Sequence, residues 1–270
     1  LKKIGSFMIV TGLLTLSACG SNAESADGEE PEVLRISAAS TPHGELLEFI
    51  AEDLEEEGIQ LEVDLSTDGI QTNRQTADGE YDANFFQHTP YLNQVNDDIG
   101  LDLVEVAGIH IEPFGYYSKT YDSIDELEEG TEVAIPNDPV NLSRALELLA
   151  ANNMIELDTT EKTSDFTVED ILTNELNLQF KPLDGPLLPR ALDDLDFVAI
   201  NTNYALETGL EPLKDALIIE GSDSPYVNIV VATPEKAESQ SIQKLAEALQ
   251  SDKVRTYIED QYEGAVVPVF

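Results

Sequence analysis

Basic residues are scarce in this chain. Among its 270 residues, 14 lysines and arginines face 54 aspartates and glutamates, giving a formal net charge of −40. A surface so negative repels phosphate backbones, which argues against nucleic acid as a partner. It suits a protein that faces high salt, the alternative being acids that accumulated by drift on a solvated face. Hydrophobic residues still make up 41%, so the chain buries a core and is no disordered polyanion. Cysteine occurs once, at Cys19, which excludes an internal disulfide. No apolar run reaches the ~20 residues of a permanent transmembrane helix. Gly-x-Ser-x-Gly, a phosphate loop and His-Glu-x-x-His are all missing, so catalysis has little support. The three histidines, His43, His88 and His110, are far apart and no pair has helix-face spacing. No cofactor or metal is expected from these patterns, although carboxylates are abundant enough to leave a metal site open. The chain has no internal repeat.

What is present begins with an N-terminal segment unlike the rest. Lys2 and Lys3 precede a mostly apolar stretch from Ile4 to Leu16, and no acidic residue occurs before Glu24. This is the pattern of a secretory signal, expected over residues 1–18. The "LSAC" that ends at Cys19 resembles a bacterial lipobox, whose cysteine is acylated and becomes the mature N-terminus. Residues 19–32 are then the lipidated cysteine and a flexible polar tether.

From Val33 onward strands and helices alternate. "VLRISAA" is strand-like, and Leu46, Leu47, Ile50 and Leu54 fall at helical spacing before Gly58. "IQLEVDLS" alternates as a half-buried strand, "TEVAIPND" is a short strand, and "PVNLSRALELLAANN" is a helix with Pro139 at its start. Four further strands are expected within 176–182, 195–201, 215–221 and 226–233, and two helices near 235–250 and 252–262. Such alternation predicts an α/β fold with mainly parallel sheets. The proline-bearing stretches 110–119 and 221–230 predict two lobes, 33–115 with 226–270 and 116–225, a single doubly wound domain being the alternative.

Ligands of open α/β sheets bind beyond the carboxyl ends of strands. The residues found there are Asn137 and Asp138, then Arg144; Asn201, Asn203 and Tyr204; and His88 and Tyr91 after "YDANFF", with Asn228 inside a strand. A guanidinium such as that of Arg144 is suited to a two-pronged bond with a carboxylate, or else to an ion pair with a surface acid. Asn201 and Asn228 offer both donor and acceptor, for a ligand or for a turn.

The stretches "DANFFQHTPYL" (82–92), "HIEPFGYYS" (110–118), "IPNDPVNLSRAL" (135–146), "LPRALDDLDFVAINTNYAL" (188–206) and "DSPYVN" (223–228) occur in order. Together they resemble the NlpA/MetQ lipoproteins, methionine-binding components of ABC importers, from about Val33 to Phe270. The resemblance implies a two-lobed periplasmic-binding-protein fold, type II-like, with the ligand in the interlobe cleft. It places the ligand's carboxylate and ammonium contacts on Arg144, Asn201 and Asn228, and an apolar wall on Phe86, His88 and Tyr91, with Phe85 in the core. The implied partners are methionine (D- or L-), an importer permease and the extracytoplasmic face of a membrane reached through Cys19. One departure stands out: "STDGIQTN" has Gly69 where members usually carry tyrosine, so a roomier pocket is expected there. The competing expectations are another small amino acid or a methionine-containing dipeptide, and an enzymatic or metal-dependent surface lipoprotein on the same scaffold.

Overall fold

In a computed structural model of the chain, the described residues are 31–160 and 164–270. The expected signal segment, the acylated Cys19 and most of the tether lie outside them. Among the described residues, no helix is long and apolar enough to cross a membrane.

The chain begins with β1 (Glu32–Ala38), α1 (Glu45–Glu56), β2 (Ile59–Leu65), α2 (Gly69–Ala77), β3 (Ala83–His88), α3 (Thr89–Ile99) and β4 (Val104–Ile111). It then crosses into β5 (Gly115–Tyr117), β6 (Glu132–Pro136), α4 (Pro139–Ala151), a small ribbon of β7 (Glu156–Leu157) and β8 (Ile171–Thr173), and β9 (Gln179–Leu183). Next come α5 (Leu188–Ala191), β10 (Phe197–Ile200), α6 (Thr202–Glu207), α7 (Pro212–Asp215) and β11 (Ala216–Ile219). A second crossing leads to β12 (Val227–Ala232), α8 (Pro234–Ala237), α9 (Gln240–Leu249), α10 (Asp252–Tyr262) and β13 (Val267–Pro268). Two main sheets result, ordered β13-β4-β12-β3-β1-β2 and β11-β5-β10-β6-β9.

The expected parallel cores are there, as β1 pairs with β2 and β3, and β6 with β9 and β10. The sheets as wholes are mixed and not mainly parallel: β12 is antiparallel to β3 and β4, β13 to β4, and β5 to β10 and β11. The reason lies in the crossings. β1, β3 and β4 run toward the other sheet, whereas β12 arrives from it and therefore runs back; β5 likewise enters its sheet from that side, opposite in sense to β10 and β11.

Apolar spacing builds each half. Leu46, Leu47, Ile50 and Leu54 are buried along α1 against Leu34, Ile36 and Phe85, and the helix stops before Gly58 at φ +80°. In the second half Phe114, Val133 and Leu146 are buried, and Tyr116 stacks on Phe197 with centroids 4.6 Å apart. The single helix expected near 235–250 is two, because Ser239 accepts the Ile242 N–H and starts α9 afresh.

Candidate ligand-binding site

Caps aim the site. The β3–α3 corner is made by His88, whose Nδ1 accepts the Tyr91 N–H at 3.2 Å, with Pro90 in the first turn. At the β6–α4 corner Asp138 accepts the Asn141 N–H at 2.9 Å, with Pro139 next. Both corners face a cavity of about 530 Å³ between the two sheets' loops, lined by all six residues singled out from the sequence: Phe86, His88, Tyr91, Arg144, Asn201 and Asn228. Alternation along β3 explains the split of its aromatic pair, Phe85 being fully buried in the core and Phe86 turned to the cavity.

Asn141, two residues past the Pro-Asn-Asp-Pro stretch and not singled out from the sequence, ties these residues together. Its Oδ1 accepts from Asn201 Nδ2 at 3.1 Å and lies 3.2 Å from His88 Nε2, while its Nδ2 donates to Asp138 at 3.0 and 3.2 Å. Because His88 Nδ1 already accepts, its Nε2 carries the proton and donates to Asn141. Burial, with help from nearby Arg144, pushes the His88 pKa down to about 3, so the ring is neutral. Burial also raises the Asp138 carboxyl, against the pull of its Asn141 hydrogen bonds.

Arg144 is in the cavity wall but its fork is already engaged. Nε and Nη2 donate to Glu220 at 2.7 and 2.6 Å, and Nη2 also donates to the Glu112 carbonyl at 2.9 Å. Its guanidinium carbon lies 4.1 Å from the centroid of the Tyr226 ring. Glu220 sits just past β11 at the second crossing, a place with no motif in the sequence to mark it. Of the two expectations for Arg144, the ion pair with an acid is present, its partner Glu220 being largely buried.

The expectation of spare room at Gly69 is corrected. A Cβ on Gly69 would lie 2.7 Å from Phe86 Cε2 and 2.8 Å from Tyr91 Oη. The rings of Phe86 and Tyr91, 6.1 Å apart and edge to face, occupy the space that a side chain at 69 would take.

The histidines that looked unrelated also meet. His43, in the turn before α1, and His110, on β4, converge with Glu112 so that one ligating atom from each lies within 4.8 Å of the others. Glu112 also accepts the Asn203 N–H at 2.9 Å, and Thr202 donates to the Pro113 carbonyl, so α6 of the second half is bonded to the crossing. Burial holds His43 down at about 4 and His110 at about 3, and raises the Glu112 carboxyl.

The geometry describes a cleft with an aromatic wall, several amides and an arginine already paired with an acid. The NlpA lipoprotein family model matches residues 34–270. The chain is 38% identical over 258 residues to the methionine-binding lipoprotein MetQ of Bacillus subtilis, covering 94% of this chain and 93% of that one. To the D-methionine-binding lipoprotein MetQ of Escherichia coli it is 36% identical, covering 95% and 93%. A solved nutrient binding protein from Burkholderia cenocepacia, bound to methionine, superimposes with a TM-score of 0.84 at 36% identity, covering 88% of this chain and all of that one.

Proposed function

The chain belongs to the NlpA lipoprotein family, and from that premise we propose that it is a methionine-binding lipoprotein serving an ABC importer. The observation that carries the reading is the convergence of Phe86, His88, Tyr91, Arg144, Asn201 and Asn228 on one cavity between the two sheets. Phe86 and Tyr91 supply aromatic surface for a thioether, a contact worth ~0.3–1.5 kcal/mol. Asn201, Asn228 and Arg144 supply the polar end, where the α-carboxylate and α-ammonium of an amino acid are held. Methionine named for the relatives, and bound in the Burkholderia protein, supports the choice of ligand.

The lobes divide at 33–115 with 226–270 and at 116–225, and close as a hinge about the crossings 112–114 and 220–226. The protein delivers its ligand to a permease and does no chemistry of its own on it. Cys19, acylated, holds it on the extracytoplasmic face of the membrane. The dipeptide reading rested on room at Gly69, and the rings of Phe86 and Tyr91 occupy it.

Thermal stabilisation by a panel of amino acids, dipeptides and divalent metals tests the proposal. Methionine is expected to raise the melting temperature most among the amino acids. Stabilisation by a dipeptide or a metal, with none by either methionine enantiomer, would sink it.

A further inference from the structure

A side-chain amide meets a ligand with either its oxygen or its N–H₂, and which end it shows decides whether it welcomes an ammonium or a carboxylate. Asn228 is held in register with His88 on β3 and His110 on β4. Its Oδ1 lies 3.0 Å from His43 Nε2. That Nε2 also faces Glu112 Oε1 at 3.5 Å, and the same oxygen lies 2.8 Å from His110 Nε2. The Nδ1 atoms of both histidines have no hydrogen-bond partner. A ring nitrogen between two oxygens carries the proton, so His43 is a donor through Nε2 and Asn228 Oδ1 is spent as its acceptor. Asn228 Nδ2 has no protein partner among the described residues, and the side chain lines the cavity.

We propose that His43 is a positioning residue that fixes the Asn228 amide with its N–H₂ toward the cavity, so that this wall selects an anionic oxygen on the ligand. The inference rests on the binding site proposed above and deepens it. Glu112 is the anchor of the arrangement. Oε1 orients the two histidines, and Oε2 takes the backbone N–H of Asn203 at 2.9 Å, from α6 of the other lobe. The carboxylate that sets the face of Asn228 therefore also bonds the two lobes together beside the crossing. His43, His110 and Glu112 are 1%, 0% and 6% exposed, so water does not compete for these bonds.

The same three residues also resemble a donor set for zinc, and the orphaned Nδ1 of His110 decides against it. Ligation through both Nε2 atoms requires both protons on Nδ1, and metal-bound histidines pass that N–H to an oxygen. His110 Nδ1 has no such acceptor here.

The test is calorimetric titration of methionine into the wild-type protein and into His43→Ala, His43→Gln, Asn228→Ala and the His43→Ala/Asn228→Ala double variant. His43→Ala is expected to weaken binding by roughly tenfold or more, the scale of one hydrogen bond to a charged group. His43→Gln, which keeps an N–H donor of similar reach, should restore much of the loss, and the loss should vanish in the Asn228→Ala background. Losses that simply add overturn the proposal, because a general structural role would act without Asn228. Long-range ¹H–¹⁵N spectra of wild-type imidazoles near neutral pH give a check that needs no binding and no variant to fold. The proton of His43 is expected on Nε2, and a proton on Nδ1, or stoichiometric zinc in the purified protein, overturns the assignment. Failure of the wild-type protein to bind methionine would count against the ligand reading, while the spectra still decide the role of His43.

Discussion

Arg144→Ala removes a guanidinium that is 3% exposed and donates to Glu220 through bonds of 2.7 and 2.6 Å. Glu220, only 14% exposed in its side chain, is left without its cation, and the Glu112 carbonyl loses a donor. Breaking a buried ion pair from one side costs about 3–5 kcal/mol. Glu220 keeps one partner, the Phe114 N–H at 3.1 Å, so the lower end of that range, about 3 kcal/mol, is expected. Removing both partners removes the stranded charge as well. In urea denaturation the Arg144→Ala/Glu220→Ala double variant should therefore lose less than the sum of the two single variants, by about 1–3 kcal/mol. Methionine titrated into Arg144→Ala should bind more weakly by about 2 kcal/mol or more, at least roughly thirtyfold. Strictly additive losses, or an Arg144→Ala protein with the wild-type urea midpoint, would refute the argument that this arginine serves the fold and the ligand together.

Acid should unfold the protein through its histidines. His43, His88 and His110 are held at about 4, 3 and 3 against 6.5 when free; their stabilisation is complete above 6.5 and is lost as pH falls below it. Each contributes up to about 1.4 kcal/mol per pH unit, opposed by the raised carboxyls of Glu112, Asp138, Glu147 and Glu207, so the wild-type urea midpoint should fall more steeply between neutral pH and about pH 5 than that of His88→Gln. Equal slopes would show that the ring is accessible to protons. Gly69→Ala should push Phe86 or Tyr91 into the cavity and weaken methionine binding with little effect on stability, since the Gly69 backbone is outside the left-handed region; unchanged affinity would show that the rings yield freely. Cys19→Ala should leave the membrane fraction or accumulate as precursor, and a processed variant that stays on the membrane would contradict acylation at this residue. Added sodium chloride should raise the urea midpoint by screening a net charge of −40 while leaving methionine affinity nearly constant; a strong salt dependence of binding would contradict a neutral zwitterion as the ligand.

Features with a local cause were legible in the sequence. The apolar spacing of α1, the capped starts of α3 and α4, and the alternation that sends Phe85 inward and Phe86 outward each follow from a few neighbouring residues. Pairing between distant residues was not. Glu220 lies 76 positions from Arg144, and nothing in "LIIEGSD" distinguishes it from the other acids of an acid-rich chain. His43 and His110 meet only because β1, β3, β12 and β4 are neighbours in that order, which puts the turn before α1 beside the end of β4. At Gly69 the sequence shows that a side chain is missing, but which rotamers fill the gap depends on Phe86 and Tyr91, whose freedom no one-dimensional pattern records.

The cavity shows how a chain of such negative charge can hold an amino acid. Asp68, Glu112, Asp138, Asp184 and Glu207 line it against a single arginine, and that arginine is neutralised by Glu220. A ligand with only a carboxylate would meet a field of the wrong sign. A zwitterion has no net charge for the distant acids to repel, so its affinity is set within a few ångströms, by the acids near its ammonium and the amide hydrogens near its carboxylate. Most of those acids already have work inside the protein: Asp68 and Asp138 cap helices and Glu112 holds Asn203. On the reading proposed above, the carboxylate end falls to groups that donate without leaving an unpaired cation behind, namely Asn228 turned by His43, Asn201, and the edge of a guanidinium whose charge is already balanced. A site built in this way is expected to reject anions and to require the α-ammonium for entry, while the acidic surface remains free to answer to salt.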